Sequence, residues 1–324
     1  MRRLACLVLN LVALAACSPA LQPLSDTRQA PALVSDAVIA RDGYRLPLRV
    51  WRAEPPERAI AIALHGFNDY SNAWDASGTW WAAHGVTVYA YDQRGFGKTD
   101  YHGIWPGVDP LVHDVEDATL TIRARHPGVP LFLIGESMGA AVIMAAMADG
   151  APPRVNGVVL GAPAVWGRDS MNELYRAGLW LGLHVMPWNP VTGDNLGFKP
   201  TDNIEMLKAL GRDPLVIKRT RIDTIGGLVD LMDTAEASAP EIKTPALVLY
   251  GAKDELIPRT PIEHMAERLG DPHRMVVYKN GWHMLFRDLQ QEVVWRDVLA
   301  WMLTPNAPLP SGEERNRLPL FADR

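Results

Sequence analysis

The chain has 324 residues, 48% of them hydrophobic and 21% charged, with a formal net charge of −5 and 2 cysteines. That length is ample for a large buried core, and a mildly acidic chain of mixed sign is a poor ligand for a polyanion, so nucleic acid is excluded as an expected partner. Cys6 and Cys17 both lie near the N-terminus and leave the body without a disulfide framework, while the histidines show no i, i+4 pairing and no cysteine partners, so neither a metal nor a cofactor is expected.

Taken in chain order, Arg2 and Arg3 precede the apolar run Leu4 to Ala16, too short to span a bilayer comfortably, which reads as a secretory signal over 1–16. Leu14-Ala15-Ala16-Cys17 resembles the bacterial lipobox, which implies lipidation of Cys17; an ordinary signal peptide with an incidental cysteine is the alternative. Several acyl chains at about 0.8 kcal/mol per buried CH₂ would hold the exported chain on a membrane. Ser18 stands where an aspartate is associated with inner-membrane retention, so the analogy favours the periplasmic side of the outer membrane. Residues 17–33, with Pro19, Pro23 and Pro31, read as the lipidated cysteine and a flexible tether.

Arg45 to Arg52 and Ala59 to Leu64 are predicted strands, and the second ends in His65-Gly66-Phe67-Asn68-Asp69. The glycine lets the backbone turn its amides toward a bound carbonyl oxygen, which makes the Phe67 N–H a candidate oxyanion donor; His65 reads equally as a brace or a catalytic group. After the predicted strand Val86 to Tyr91, Asp92, Arg94 and Asp100 are expected to brace a turn, and Asp114, Glu116 and Asp117 to open the next helix.

The apolar run Leu131 to Ile134 then leads through Gly135-Glu136-Ser137-Met138-Gly139 into the Ala-rich, helix-favouring Ala140 to Ala148. A serine on a strand-to-helix turn with flanking glycines is raised out of the sheet for attack on a carbonyl, which names Ser137 as candidate nucleophile and the Met138 N–H as second oxyanion donor. A plain strand-to-helix turn could carry the same pentapeptide, so the reading requires a base and an orienting acid downstream.

Beyond the predicted strand Gly157 to Leu160 the strand rhythm stops, and Ala164 to Ala239 is rich in Trp, Met and Leu. We read 166–238 as a mostly helical lid, with Trp166, Trp180 and Trp188, together with Trp282, as candidate pocket residues; the alternative for each is the lid's own core or burial under the sheet edge. Leu196 belongs to the same apolar set, and Pro187, Pro190, Gly193 and Gly197 break the pattern into two parts, as a mobile loop would. The predicted strand Ala246 to Tyr250 leads to Asp254, the candidate acid, with Glu255 its nearest rival and the lid acids Asp223, Asp230 and Asp233 less favoured. Met275 to Tyr278 leads to Lys279-Asn280-Gly281-Trp282-His283, and His283 is the candidate base. Residues 305–324 are proline-rich and charged and read as disordered.

The order Ser137, Asp254, His283, with the HG turn and the segment Asp92 to Gly97, resembles the α/β-hydrolase superfamily, and most closely its monoacylglycerol lipase and lysophospholipase branch, from about Asp36 to Leu303. GESMG is similar to that branch's GxSMG elbow, with Ala140 where a third glycine is common. DQRGFGKTD resembles the DxRGxGxS turn, and HGFND departs from the usual HGxGEH form. The resemblance implies a mostly parallel central sheet with helices on both faces, a core of 34–165 and 239–304, and a helical cap inserted after the sixth strand of the superfamily's count. It also implies a serine hydrolase acting on lipid-like esters. A serine aminopeptidase or cofactor-free haloperoxidase on the same scaffold, or a non-catalytic lipid-binding lipoprotein, are the competing readings.

Overall fold

The computed structural model describes residues 18–193 and 197–315; the expected signal 1–16, Cys17, Leu196 and the last part of the tail lie outside the described residues. The elements in order are β1 (Ala32–Leu33), β2 (Ala37–Ile39), β3 (Arg45–Trp51), β4 (Ala59–Leu64), α1 (Asp75–Ala83), β5 (Val86–Tyr91), α2 (Val108–Arg125), β6 (Leu131–Glu136), α3 (Met138–Met147) and β7 (Gly157–Gly161). There follow α4 (Glu173–Val185), β8 (Pro190–Val191), α5 (Ile204–Arg212), β9 (Thr220–Arg221), α6 (Ile222–Ser238), β10 (Ala246–Gly251), α7 (Arg259–Arg268), β11 (His273–Tyr278), α8 (Gln291–Leu303) and β12 (Glu314–Arg315). Ten strands form one sheet in the order β1-β2-β3-β5-β4-β6-β7-β10-β11-β12. The central six are parallel, and β3 and β12 pair antiparallel at either side.

The strand alternation sorts the core into two layers, because successive side chains point to opposite faces. Ile60, Ile62, Leu131, Leu133, Val158, Leu160 and Val248 face α2, α3, α6 and α7. Ala59, Ala61, Val86, Phe132, Ile134, Val159 and Leu247 face α1 and α8. β4, β6, β7 and β10 are buried along their whole length, as strands covered on both sides must be, which is why they read as continuous apolar runs. This is the α/β-hydrolase fold.

Four expectations need correction. The segment 18–33 is not a free tether: the Ala20 N–H donates to Asp223 on α6, Gln22 is buried with its N–H on the Trp105 carbonyl and its Nε2 on Ile104, and the Gln29 N–H donates to Arg41. Residues 305–315 are not disordered: Leu309 is buried, β12 pairs with β11, and Arg274 grips Glu314 through two nitrogens at 2.6 and 2.8 Å. Asp114, Glu116 and Asp117 do not begin a helix. They lie inside α2, where Asp114 meets Arg94 and the other two meet Arg41, so ion pairing rather than the helix dipole explains them. The lid boundary also moves, because α6, inside the predicted 166–238, buries Leu231, Met232 and Ala235 in the main core against α3.

Candidate active site

Ser137 stands between β6 and α3 with φ 53° and ψ −112°, a backbone conformation that costs of order 1–3 kcal/mol in a residue with a side chain. The turn is held open by three hydrogen bonds: Ser137 N–H donates to Gly161 at 2.8 Å, and its carbonyl accepts from Ala141 and Ala164 at 3.1 Å each. The flanking glycines are steric necessities. A Cβ on Gly135 would come within 2.4 Å of the Ala140 nitrogen, and one on Gly139 within 2.2 Å of the Leu64 carbonyl oxygen.

The turn after β4 closes beside this elbow, where a Cβ on Gly66 would lie 3.6 Å from the Ser137 Cβ. His65 is fully buried. Its Nδ1 donates to the Gly66 carbonyl at 2.8 Å and its Nε2 accepts the Gln93 N–H at 3.0 Å, so it is a neutral brace, and burial lowers its basicity accordingly. Asp92 accepts the N–H groups of Ser71 and Lys98, and Arg94 forks onto Asp42 and Asp114, so both brace the fold as expected. Asn68, at φ 65°, ties the same turn to the insertion through Thr220 and Ile217. Among the described residues, neither the Phe67 nor the Met138 N–H donates to a protein acceptor, which leaves both available to a ligand oxygen.

His283 and Asp254 come together from the loops after β11 and β10. The Asp254 Oδ1 accepts the N–H groups of Leu256 and Ile257 at 2.8 and 3.0 Å, and its Oδ2 receives the His283 Nδ1–H at 2.8 Å with the carboxylate wholly out of solvent. That geometry places the proton on Nδ1 and leaves the Nε2 lone pair outward. Burial works against a charged imidazole, yet Asp254, Glu136 and Asp288 together raise its pKa above the ordinary histidine value. Glu255, the rival acid, is exposed and accepts the Lys199 N–H.

The Ser137 elbow and the His283 loop share the C-terminal edge of the sheet. Arg287, four residues after His283, donates to Glu136, the residue before Ser137, at 2.9 Å. No Ser137–His283 hydrogen bond is present among the described residues; the only side-chain partner of the His283 ring among them is Asp254. The tryptophans divide. Trp166 is partly buried against the core and meets Tyr175 edge-on; Trp282 is half-buried beside His283, with the Lys199 ammonium 4.2 Å from its ring. Trp180, on α4, which buries none of its residues, is 61% exposed, and Trp188, in the loop after it, is 47% exposed. Among the described residues no group of three or more His, Cys, Asp or Glu is placed to hold a metal ion.

Residues 55–290 match the family described as Serine aminopeptidase, S33. The chain is similar to a monoacylglycerol lipase of Mycolicibacterium smegmatis, at 25% identity over 276 residues covering 81% of this chain and 94% of that protein. It is also similar to the monoglyceride lipase of Homo sapiens, at 23% identity with 82% and 89% covered. The crystal structure of the Paleococcus ferrophilus monoacylglycerol lipase shares the fold, with a TM-score of 0.65, 22% identity, and 80% and 98% of the two chains covered. With the family match spanning most of its length and the sheet order and elbow described above, the chain belongs to the serine aminopeptidase family of α/β-hydrolases.

Proposed function

We propose that the protein is a serine carboxylester hydrolase that cleaves lipid-like esters, a monoacylglycerol or lysophospholipid, through an acyl-enzyme. The observation that carries this reading is the buried Asp254–His283 pair on the same sheet edge as the strained Ser137 elbow. His283 Nε2 takes the proton of the Ser137 hydroxyl as the oxygen attacks the ester carbonyl, Asp254 holds the resulting imidazolium, and the Phe67 and Met138 amides receive the oxyanion. The proton then passes to the departing alcohol. Water, deprotonated by the same histidine, attacks the acyl-enzyme, and the fatty acid leaves with Ser137 regenerated.

The family's descriptive name raises amide cleavage as the second reading. A peptidase of that kind needs free acidic groups over the site to hold an amine, whereas here Asp223 is paired with Arg221, and Asp230 and Asp233 with Arg168. The engagement of these acids by arginines and the monoacylglycerol lipase relatives support an uncharged, lipophilic substrate. We further propose that the chain is exported and lipidated at Cys17, on the strength of the N-terminal pattern alone.

The test is Ser137→Ala across a panel of monoacylglycerols, lysophospholipids, short nitrophenyl esters and aminoacyl amides. The expected result is ester preference in the wild type, with turnover and fluorophosphonate labelling abolished in a variant of unchanged fold. Labelling that survives the substitution, or preference for the amides, ends the assignment.

A further inference from the structure

Behind the reacting groups lies a second charged cluster that the proposed mechanism does not use. Arg287 is buried; its Nη1 lies 2.6 Å from Asp69 Oδ2 and its Nη2 donates to Glu136 Oε2 at 2.9 Å. Asp69 belongs to the turn that presents Phe67: its N–H donates to the Gly66 carbonyl at 3.3 Å and its Oδ1 accepts the Tyr70 N–H at 2.9 Å. Glu136 is joined to Ser137 through the chain, and Arg287 follows His283 in the same loop. One side chain thus pins the oxyanion turn, the serine elbow and the histidine loop to each other.

Packing alone does not account for this arrangement. One cation faces two carboxylates, so the cluster holds a surplus negative charge largely away from water, and Glu136 Oε1 and Arg287 Nε have no hydrogen-bond partner among the described residues. Apolar side chains of similar volume would fill the space at lower cost. Unsatisfied buried charge beside a reacting group has a use where charge is about to form. The charges that act on His283 are Asp254, in direct contact from the loop after β10, Glu136 at the end of β6, tied by Arg287 to the His283 loop, and Asp288 from its own loop, with Asp69 one step back through Arg287 and the ammoniums of Lys199 and Lys253 over neighbouring Trp282. Asp288 is engaged by the Trp282 N–H and the Thr201 hydroxyl, and Asp254 by two N–H groups as well as the imidazole, which leaves Glu136 as the carboxylate with an unbonded oxygen.

We propose that Arg287, Asp69 and Glu136 are positioning residues that lock the three arms of the site and direct a surplus negative charge at the imidazolium formed on His283. The inference rests on the serine hydrolase reading. The cluster acts when His283 takes the Ser137 proton: the imidazolium gains the field of Glu136 in addition to those of Asp254 and Asp288, and the Phe67-bearing turn does not shift as charge moves.

The experiment is the pH dependence of Ser137 inactivation by a fluorophosphonate, and of kcat and KM on a nitrophenyl ester, in the full chain carrying Glu136→Gln. Glutamine keeps the volume and an acceptor for Arg287 but removes the charge. We expect the acid limb to move to lower pH by roughly half a unit or more, and kcat to fall about tenfold with KM within about twofold. A limb that stays in place or moves to higher pH overturns the proposal, even if the variant melts earlier, since a purely structural role moves the melting temperature and not the limb. Should Glu136→Gln fail to fold, Asp69→Asn carries the same test with a smaller downward shift, and an unmoved limb there overturns it equally. Wild-type protein that resists labelling at Ser137 removes the underlying hydrolase reading instead, so the two failures are distinguishable.

Discussion

At the scale of single residues, His283 is the base of the proposed mechanism, and its environment would set the pH at which that chemistry runs. Burial would make the imidazole a weaker base, but Asp254, in direct contact, and Glu136 and Asp288 behind it outweigh the loss of water and raise its pKa above the ordinary value of 6.5. The base must be neutral to accept the serine proton. Activity is therefore expected to be full above the raised pKa and to fall as pH drops through it, with the acid limb of kcat/KM above that of an unperturbed histidine. Asp254→Asn removes the largest favourable contribution and puts an amide where Nδ1–H needs an acceptor. The limb should move to lower pH while kcat falls about 10⁴-fold; a pH–rate profile of the variant matching the wild type in limb and height would show that Asp254 is not the orienting acid.

At the scale of elements, the site exists because strand, turn and helix approach closer than side chains allow. The backbones of β6, α3 and β4 meet at Gly135 and Gly139, and the sequence made this legible, because two glycines flanking a serine between a strand and a helix have few other uses. Gly139→Ala is expected to destabilise the fold by about 1–3 kcal/mol and to depress turnover further by displacing Ser137, as read by denaturant melts and nitrophenyl ester hydrolysis. Gly178→Ala in α4, where an added Cβ meets nothing within 4 Å, is the control and should be neutral or slightly stabilising. Equal melting midpoints for Gly139→Ala and wild type would refute the close-packing account.

The same scale shows where sequence reading ran out. The central strands were legible as unbroken apolar runs, whereas β1, β2, β8, β9 and β12 are two or three residues long and give no periodicity to read. Asp254 and His283 were legible because each follows a buried strand in a fixed order. The Arg287 cluster was not, since its members are far apart in sequence and only the sheet brings them together; the one local signal was an arginine set in the apolar stretch Leu285-Phe286-Arg287. The tail 305–315 misled because composition counts prolines and charges but cannot see Arg274 waiting for Glu314.

For the molecule as a whole, the N-terminal segment decides how the domain would sit if Cys17 is lipidated. Ala20 is bound to Asp223 at the start of α6, whose N–H in turn donates to Pro187, next to exposed Trp188. Cys17 is three positions before Ala20, and an extended chain covers at most about 3.6 Å per residue, so the acyl chains would attach within about 11 Å of Ala20. No helix among the described residues is long and apolar enough to cross a membrane. Expressed with its own N-terminus in a bacterium that lipidates exported proteins, the wild-type chain should incorporate radiolabelled palmitate and fractionate with membranes, and Cys17→Ala should do neither while its soluble fraction keeps nitrophenyl esterase activity. Equal palmitate incorporation by the two chains would reject Cys17 as the anchor.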